Sequence, residues 1–114
     1  MVKRYVPSQG DIVFLQFSPQ QGREQAGVRP AVVLSPASYN ERVGLMLACP
    51  VTGQAKGYPF EVSLPAGMRT HGVVLSDHVK SLDWTMRKAK FVERVPRSTL
   101  LHILSRVELL LEPQ

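Results

Sequence analysis

Over most of its length the chain sets apolar residues in short runs rather than long stripes. Residues 12–17 read Ile-Val-Phe-Leu-Gln-Phe between Gly10-Asp11 and Pro19, and β-branched and aromatic residues bounded by glycine and proline predict a strand. Residues 30–34, Pro-Ala-Val-Val-Leu, predict a second, with proline at the first position, where a missing amide hydrogen does least harm. Residues 45–51, 60–64 and 72–75 predict three more, separated by the turn-forming segments 52–59 and 65–67. Five short strands with turn signals between them predict a small barrel, and residues 90–95 offer a further strand.

At Pro96, a good first-turn residue, the period changes to that of a helix. Leu100, Ile103, Leu104, Val107, Leu110 and Leu111 fall on one face, which is expected to pack on the barrel. Leu109 falls on the polar side, and His102, Ser105 and Arg106 lie off the stripe. The expected fold class is mainly β, a β-barrel with short helices and a C-terminal α-helix. The polar segment 18–29 between the first two strands is about twice the usual hairpin-loop length of two to five residues, and loops that long tend to carry function.

The chain has 114 residues, 44% of them hydrophobic, which leaves room for one core and predicts a single domain over residues 1–114. So small a domain is modestly stable alone and gains from pairing, which makes a homodimer an expectation. Fourteen Lys and Arg against nine Asp and Glu give a net charge of +5. That excess favours polyanionic partners, nucleic acid first and acidic proteins second, although it also serves simple solubility.

The single cysteine, Cys49, lies in an apolar run, so no internal disulfide forms and the thiol is expected to be a buried small hydrophobe in a reducing compartment. No apolar stretch follows the N-terminal charges and no segment approaches bilayer length. The expectation is a soluble cytoplasmic protein with no membrane partner.

One Cys and three scattered His provide no zinc pattern. Phosphate-loop, dinucleotide and nucleophile-elbow motifs are missing as well. No metal and no cofactor are therefore expected, and basic and hydroxyl chemistry remains. Arg29 ends the long loop directly before Pro30, which biases it to an extended backbone at a strand edge. An always-charged planar donor there can clamp a phosphate and stabilise a phosphorane-like transition state; a surface pair with Glu24 is the alternative. Thr52 follows an apolar run and precedes Gly53, so its hydroxyl either meets a phosphate oxygen or forms a turn with its own backbone.

Asp77-His78 brings an acid next to an imidazole, but on a regular strand consecutive residues face opposite sides, which would separate them. A structural bond from Asp77 to a loop backbone is the competing use. His71 and His102 read as solvent-facing. Arg87, Lys88, Lys90, Arg94 and Arg97 make a basic strip beside Trp84 and Phe91, suited to single-stranded nucleic acid if the aromatics stack on bases, or a solvated face if Trp84 is core.

At Gly22-Arg23-Glu24-Gln25-Ala26-Gly27-Val28-Arg29-Pro30-Ala31-Val32-Val33-Leu34-Ser35-Pro36 the chain closely resembles the MazF family of toxin endoribonucleases, related to the PemK and Kid toxins. The resemblance continues through Tyr39-Asn40, Cys49-Pro50-Val51-Thr52, residues 56–62 (Lys-Gly-Tyr-Pro-Phe-Glu-Val) and residues 72–84. It implies an SH3-like barrel with a C-terminal helix, forming a homodimer that binds single-stranded RNA and cuts at a short sequence. The implied chemistry is metal-independent in-line attack by the ribose 2′-hydroxyl, leaving a 2′,3′-cyclic phosphate and a 5′-hydroxyl. It further implies a cognate antitoxin of the MazE type, whose acidic disordered tail would block the basic groove.

Carried over by position, the resemblance makes Arg29 and Thr52 the catalytic pair. Glu24 and Gln25 would line the site, and Lys56, Asp77, Ser81 and Arg87 would contact RNA or shape its pocket. The Kid branch uses a histidine and an arginine where this chain has Arg23 and Leu75, though its aspartate is matched by Asp77, so that acid–base scheme does not carry over intact. Because an arginine side chain stays charged at ordinary pH, charge stabilisation is the expected role of Arg29. Two rivals differ in class. A CcdB-like gyrase-binding toxin would end in a Trp-Gly-Ile type segment, whereas this chain ends Leu-Leu-Leu-Glu-Pro-Gln; a non-catalytic RNA-binding barrel would bind without cutting.

Overall fold

The computed structural model describes residues 4–17 and 27–114. In chain order the elements are β1 (Asp11–Phe17), β2 (Gly27–Val33), α1 (Ala37–Val43), β3 (Leu45–Thr52), β4 (Glu61–Ser63), β5 (Val73–Leu75), β6 (Lys80–Asp83), β7 (Lys90–Arg94) and α2 (Arg97–Leu111). The strands run β4-β5-β3-β2-β1-β7, and β6 also pairs with β3. Every pairing is antiparallel. The sheet bends into a barrel-like shape without closing, since the two ends of that order, β4 and β7, are not paired among the described residues.

Strand alternation feeds two cores, one on each face. Ile12, Val32, Cys49, Val51, Val74 and Ile103 belong to the first, which α2 covers with Leu100 and Ile103. Val13, Leu15, Ala31, Val33, Met46 and Trp84 belong to the second, closed by Tyr5, Val6 and Ala89. Consecutive Ile12 and Val13 thus serve opposite faces, as a period of two requires, and the register with β7 shifts between them, passing over Val92 before pairing resumes at Phe91.

The expected strands all form, with boundaries moved by up to three residues. The predicted apolar face of α2 packs only in part. Leu100 and Ile103 are buried and Leu104 and Val107 partly so, but Leu110 and Leu111 are 51% and 75% exposed. The apolar stripe outruns the surface it packs on, and Leu109 is exposed as expected.

Two elements have no counterpart in the sequence reading. β6 is four residues with only Leu82 buried. α1 is seven residues between Pro36 and Gly44, with Asn40 its only buried side chain. Gly44 ends it at φ +82°, a left-handed conformation that glycine adopts without a Cβ penalty. Asn40 is the hub: its Nδ2 donates to the carbonyls of Pro7 and Ser35, its Oδ1 accepts from the Ser35 hydroxyl, and its carbonyl accepts from Trp84 Nε1. This buried network ties the N-terminal segment, α1 and the β6–β7 turn together.

Candidate active site

β3 runs between different neighbours along its length. Its first half pairs with β6, from Leu45 opposite Asp83 to Ala48 opposite Lys80, and its last two residues pair with β5, Thr52 facing Val73. On its other side β2 pairs through Ala31 opposite Pro50. There the ladder stops, with a proline at each strand's limit. The Gln16 amide donates to the Arg87 carbonyl on the side of β1 away from β2. Phe14, two residues earlier and opposite Pro30, shares that direction, so the Pro30 nitrogen turns toward β3 with no hydrogen to give. The same register continued by two residues sets Arg29 across from Thr52. β2 therefore begins at Gly27, ahead of the predicted Pro30, and Pro30 sits inside the strand.

Arg29 is exposed, opposite Leu15 of β1. Thr52 lines a shallow depression of about 220 Å³, shared with Gln54, Lys56, Tyr58, Leu75 and His78. Its Oγ1 accepts from the Gln54 amide at 3.2 Å, so the turn-forming use of this threonine is real, and the hydroxyl proton is left to donate to a ligand. Gly72 lies directly behind: a Cβ there would come within 2.1 Å of the Thr52 carbonyl oxygen, at φ +122°. Only glycine lets that loop approach the strand end so closely.

The loop after Thr52 is pinned from below. The Glu61 carboxylate accepts the amides of Lys56 and Gly57, both at 2.8 Å, which leaves the exposed Lys56 side chain over the depression. Tyr58 donates its hydroxyl to Asp77 Oδ1 at 3.0 Å. Desolvation, that hydrogen bond, and the charges of Asp77 and Glu61 raise the Tyr58 phenol above its ordinary range, so it stays a donor at neutral pH.

Asp77 and His78 follow β5 in a turn in which the His78 amide donates to Leu75 O at 3.0 Å. They do not obey strand alternation, and the expected separation is overturned: His78 Nε2 is 3.8 Å from Asp77 Oδ1. The partner found for Asp77 is the Tyr58 side chain rather than a loop backbone.

The other expected residues scatter. Ser81 is exposed opposite Leu47; Thr52 lies five positions after Leu47, so alternation sends Ser81 and Thr52 to opposite faces. Arg87 lies in the β6–β7 turn, its carbonyl bonded to Gln16, near the Arg29 end of β1 rather than the depression. Glu24, Gln25 and Arg23 lie outside the described residues. Tyr58, Glu61 and Gln54 were not assigned from the sequence, although Tyr58 and Glu61 stand in the 56–62 segment that carries the resemblance; His78 is the imidazole that the sequence sets beside Asp77.

The basic strip separates into parts. Trp84 is core, 4% exposed, with Arg4 over its outer ring face at 4.9 Å, so it offers no stacking platform. Arg94 is committed to buried Asp11 at 3.0 Å and to the Gln9 carbonyl. Lys88 and Lys90 instead flank a wider groove of about 610 Å³ with Phe14, Gln16 and Val28, where Phe14 and Val28 are exposed. This groove runs over β1 and β2 at the Arg29 end of the barrel.

Cys49 is fully buried, and burial first, then the charge of Asp77, pushes its thiol up to about 12. His71 and His102 are exposed, as expected. Among the described residues, no three His, Cys, Asp or Glu side chains cluster so as to hold a metal ion, and no helix is long and apolar enough to cross a membrane.

Comparison with known proteins agrees with this architecture. The chain is 48% identical over 111 residues to the endoribonuclease toxin MazF of Escherichia coli K12, covering 97% of this chain and 99% of that one. The crystal structure of MazF (Form-I) from Deinococcus radiodurans superposes with a TM-score of 0.86 at 54% identity, covering 95% and 98% of the two chains. The MazE-MazF structure (Form-II) from the same organism gives a TM-score of 0.89 at 54% identity, covering 95% and 97%. Residues 8–111 match the family of PemK-like, MazF-like toxins of type II toxin-antitoxin systems, and the chain belongs to that family.

Proposed function

We propose that the protein is the toxin of a type II toxin-antitoxin pair, an endoribonuclease that cuts single-stranded mRNA at a short sequence and so inhibits translation. The observation that carries this is the ladder end at Pro30 and Pro50, which leaves an exposed arginine and a threonine hydroxyl on adjacent strand ends. Arg29 brings fixed positive charge to the scissile phosphate, worth most where charge develops in the transition state. Thr52 donates its hydroxyl to a phosphate oxygen. The ribose 2′-oxygen attacks phosphorus in line as the bond to the 5′-oxygen breaks, which yields a 2′,3′-cyclic phosphate and a 5′-hydroxyl without a metal ion.

Lys56 adds charge along the RNA path, Asp77 shapes the pocket through Tyr58, and Arg87, Glu24 and Gln25 are flanking contacts. The groove with Lys88, Lys90, Phe14 and Val28 suits phosphates held by charge and bases held by apolar contact. A homodimer would join two such sites, and an acidic MazE-like antitoxin tail would compete with RNA for the basic surface. The family relationship and the name of the Escherichia coli relative support this reading.

Cleavage of a long unstructured RNA in EDTA, followed by analysis of fragment ends, tests it. Wild-type protein is expected to cut at a recurrent short sequence, leaving cyclic phosphate and 5′-hydroxyl ends. Arg29→Ala and Thr52→Ala are each expected to lose about 10²- to 10³-fold in rate with stability unchanged. RNA that is bound but intact would make the protein a binding module instead.

A further inference from the structure

Beside Thr52 stands an imidazole that has no part in the chemistry described so far. His78 lines the same depression as Thr52, Lys56 and Tyr58, and its side chain is 48% exposed to that opening. Its backbone is fixed by the bond to Leu75 O. On one flank it faces Asp77 Oδ1 at 3.8 Å, the same carboxylate oxygen that accepts the Tyr58 hydroxyl. The neighbouring carboxylate can orient the ring, and an open mouth lets that ring reach a substrate.

We propose that His78 is the general acid of the cleavage step, with Asp77 and Tyr58 as its positioning residues. This rests on the endoribonuclease reading above. As the 2′-oxygen forms its bond to phosphorus and the bond from phosphorus to the 5′-oxygen breaks, the imidazolium gives its proton to the departing 5′-oxygen, which leaves as a hydroxyl. The 2′-hydroxyl proton passes to solvent, and the neutral imidazole is reprotonated from solvent, so one proton is lost and one regained per turnover. The charged and titratable groups around His78 are Asp77 on its own turn, Lys56 and Tyr58 from the loop after β3, and Glu61 at the start of β4. The Glu61 carboxylate is occupied by two backbone amides, whereas Asp77 lies 3.8 Å from the ring. Thr52 and Arg29 then manage charge on the phosphate, while the proton moves through a third residue.

The test uses short RNA carrying the wild type's mapped cleavage site, in two forms: an ordinary phosphodiester, and one with sulfur replacing the bridging 5′-oxygen. A thiolate leaves without a proton. His78→Gln is expected to cleave the ordinary RNA about 10²-fold more slowly, to lose the high-pH descending limb of the wild-type rate profile, and to match wild type on the sulfur substrate. Arg29→Ala is expected to stay slow on both. A His78→Gln variant equally slow on both substrates, or as fast as wild type on the ordinary one, would overturn the proposal and leave the endoribonuclease reading standing. Ordinary RNA left intact by the wild type would sink both.

Discussion

Two polar networks can be compared directly: the one around Asn40 and the one around Thr52 and Asp77. Around Asn40 every donor and acceptor of the side chain is spent inside the protein, in a fully buried pocket. Around Thr52 the groups are open to solvent and only partly spent. The threonine hydroxyl accepts one amide and keeps its proton, and Asp77 takes one bond from Tyr58 while leaving capacity toward His78. Saturation marks a polar group that holds the fold together, because burial makes any unmet partner costly. Residual capacity at an open surface marks one that can act on something else.

The difference can be broken from either side. Asn40→Ala should have the largest effect on stability, about 3 kcal/mol, because it leaves the Ser35 hydroxyl proton and the Pro7 and Ser35 carbonyls without the side chain's partners in a buried site. Chemical denaturation should show it, with RNA cleavage per folded molecule unchanged. A midpoint equal to wild type would mean water replaces the side chain and the hub is not structural.

Gly72→Ala attacks the boundary between the two kinds of network. Its Cβ would clash with the Thr52 carbonyl at a backbone angle hostile to side chains, which should cost about 2 kcal/mol. Unlike Asn40→Ala, it should also slow cleavage per folded molecule, since the strand end must shift. Melting curves and single-turnover rates measured on the same preparation separate the two losses, and a variant that cleaves at the wild-type rate would show that Thr52 tolerates movement.

The smallest effect concerns Glu93, an intermediate case. Burial pushes its carboxyl up, but hydrogen bonds from Thr70 and from the Arg69 amide, with the Arg69 charge, outweigh that and hold it below the usual range. A lowered folded value means stability that is present above the unfolded glutamate's titration and lost as pH falls through the folded one. Glu93→Gln should therefore cost under about 1 kcal/mol at neutral pH and flatten the acid side of the stability curve below pH ~4.5. Identical acid-unfolding profiles for the two proteins would remove the assignment.

How much of this was legible in the chain depends on what each element had to bury. The strands that feed the cores announce themselves, since Val32, Val33, Met46, Val62 and Val74 are apolar because they are inside. β6 and α1 bury one residue each, so their sequences carry no period to detect. In α1 that residue is an asparagine, whose burial makes sense only once its partners 33 residues earlier and 44 residues later are in place.

At the site, Arg29 and Thr52 were visible as chemistry beside turn signals and through the resemblance, but their relation across two strands needed the register. Strand alternation argues against His78 acting with Asp77, but that rule stops applying once β5 ends at Leu75. Trp84 beside a row of cations looked like a stacking platform, yet the hydrogen bond to Asn40 turns it inward. Leu110 and Leu111 fitted a helical stripe whose last turn has no surface to meet.

The burial of Cys49 has a practical side. The chain's only thiol is sealed inside the first core and stays protonated until strongly alkaline pH, whereas the thiolate is the form that reacts with maleimides and iodoacetamides. The native protein is thus silent to such reagents at neutral pH. A reporter cysteine placed at exposed His71 or Leu111 would take up a fluorophore or spin label alone, so distances and docking can be followed in an otherwise unaltered chain.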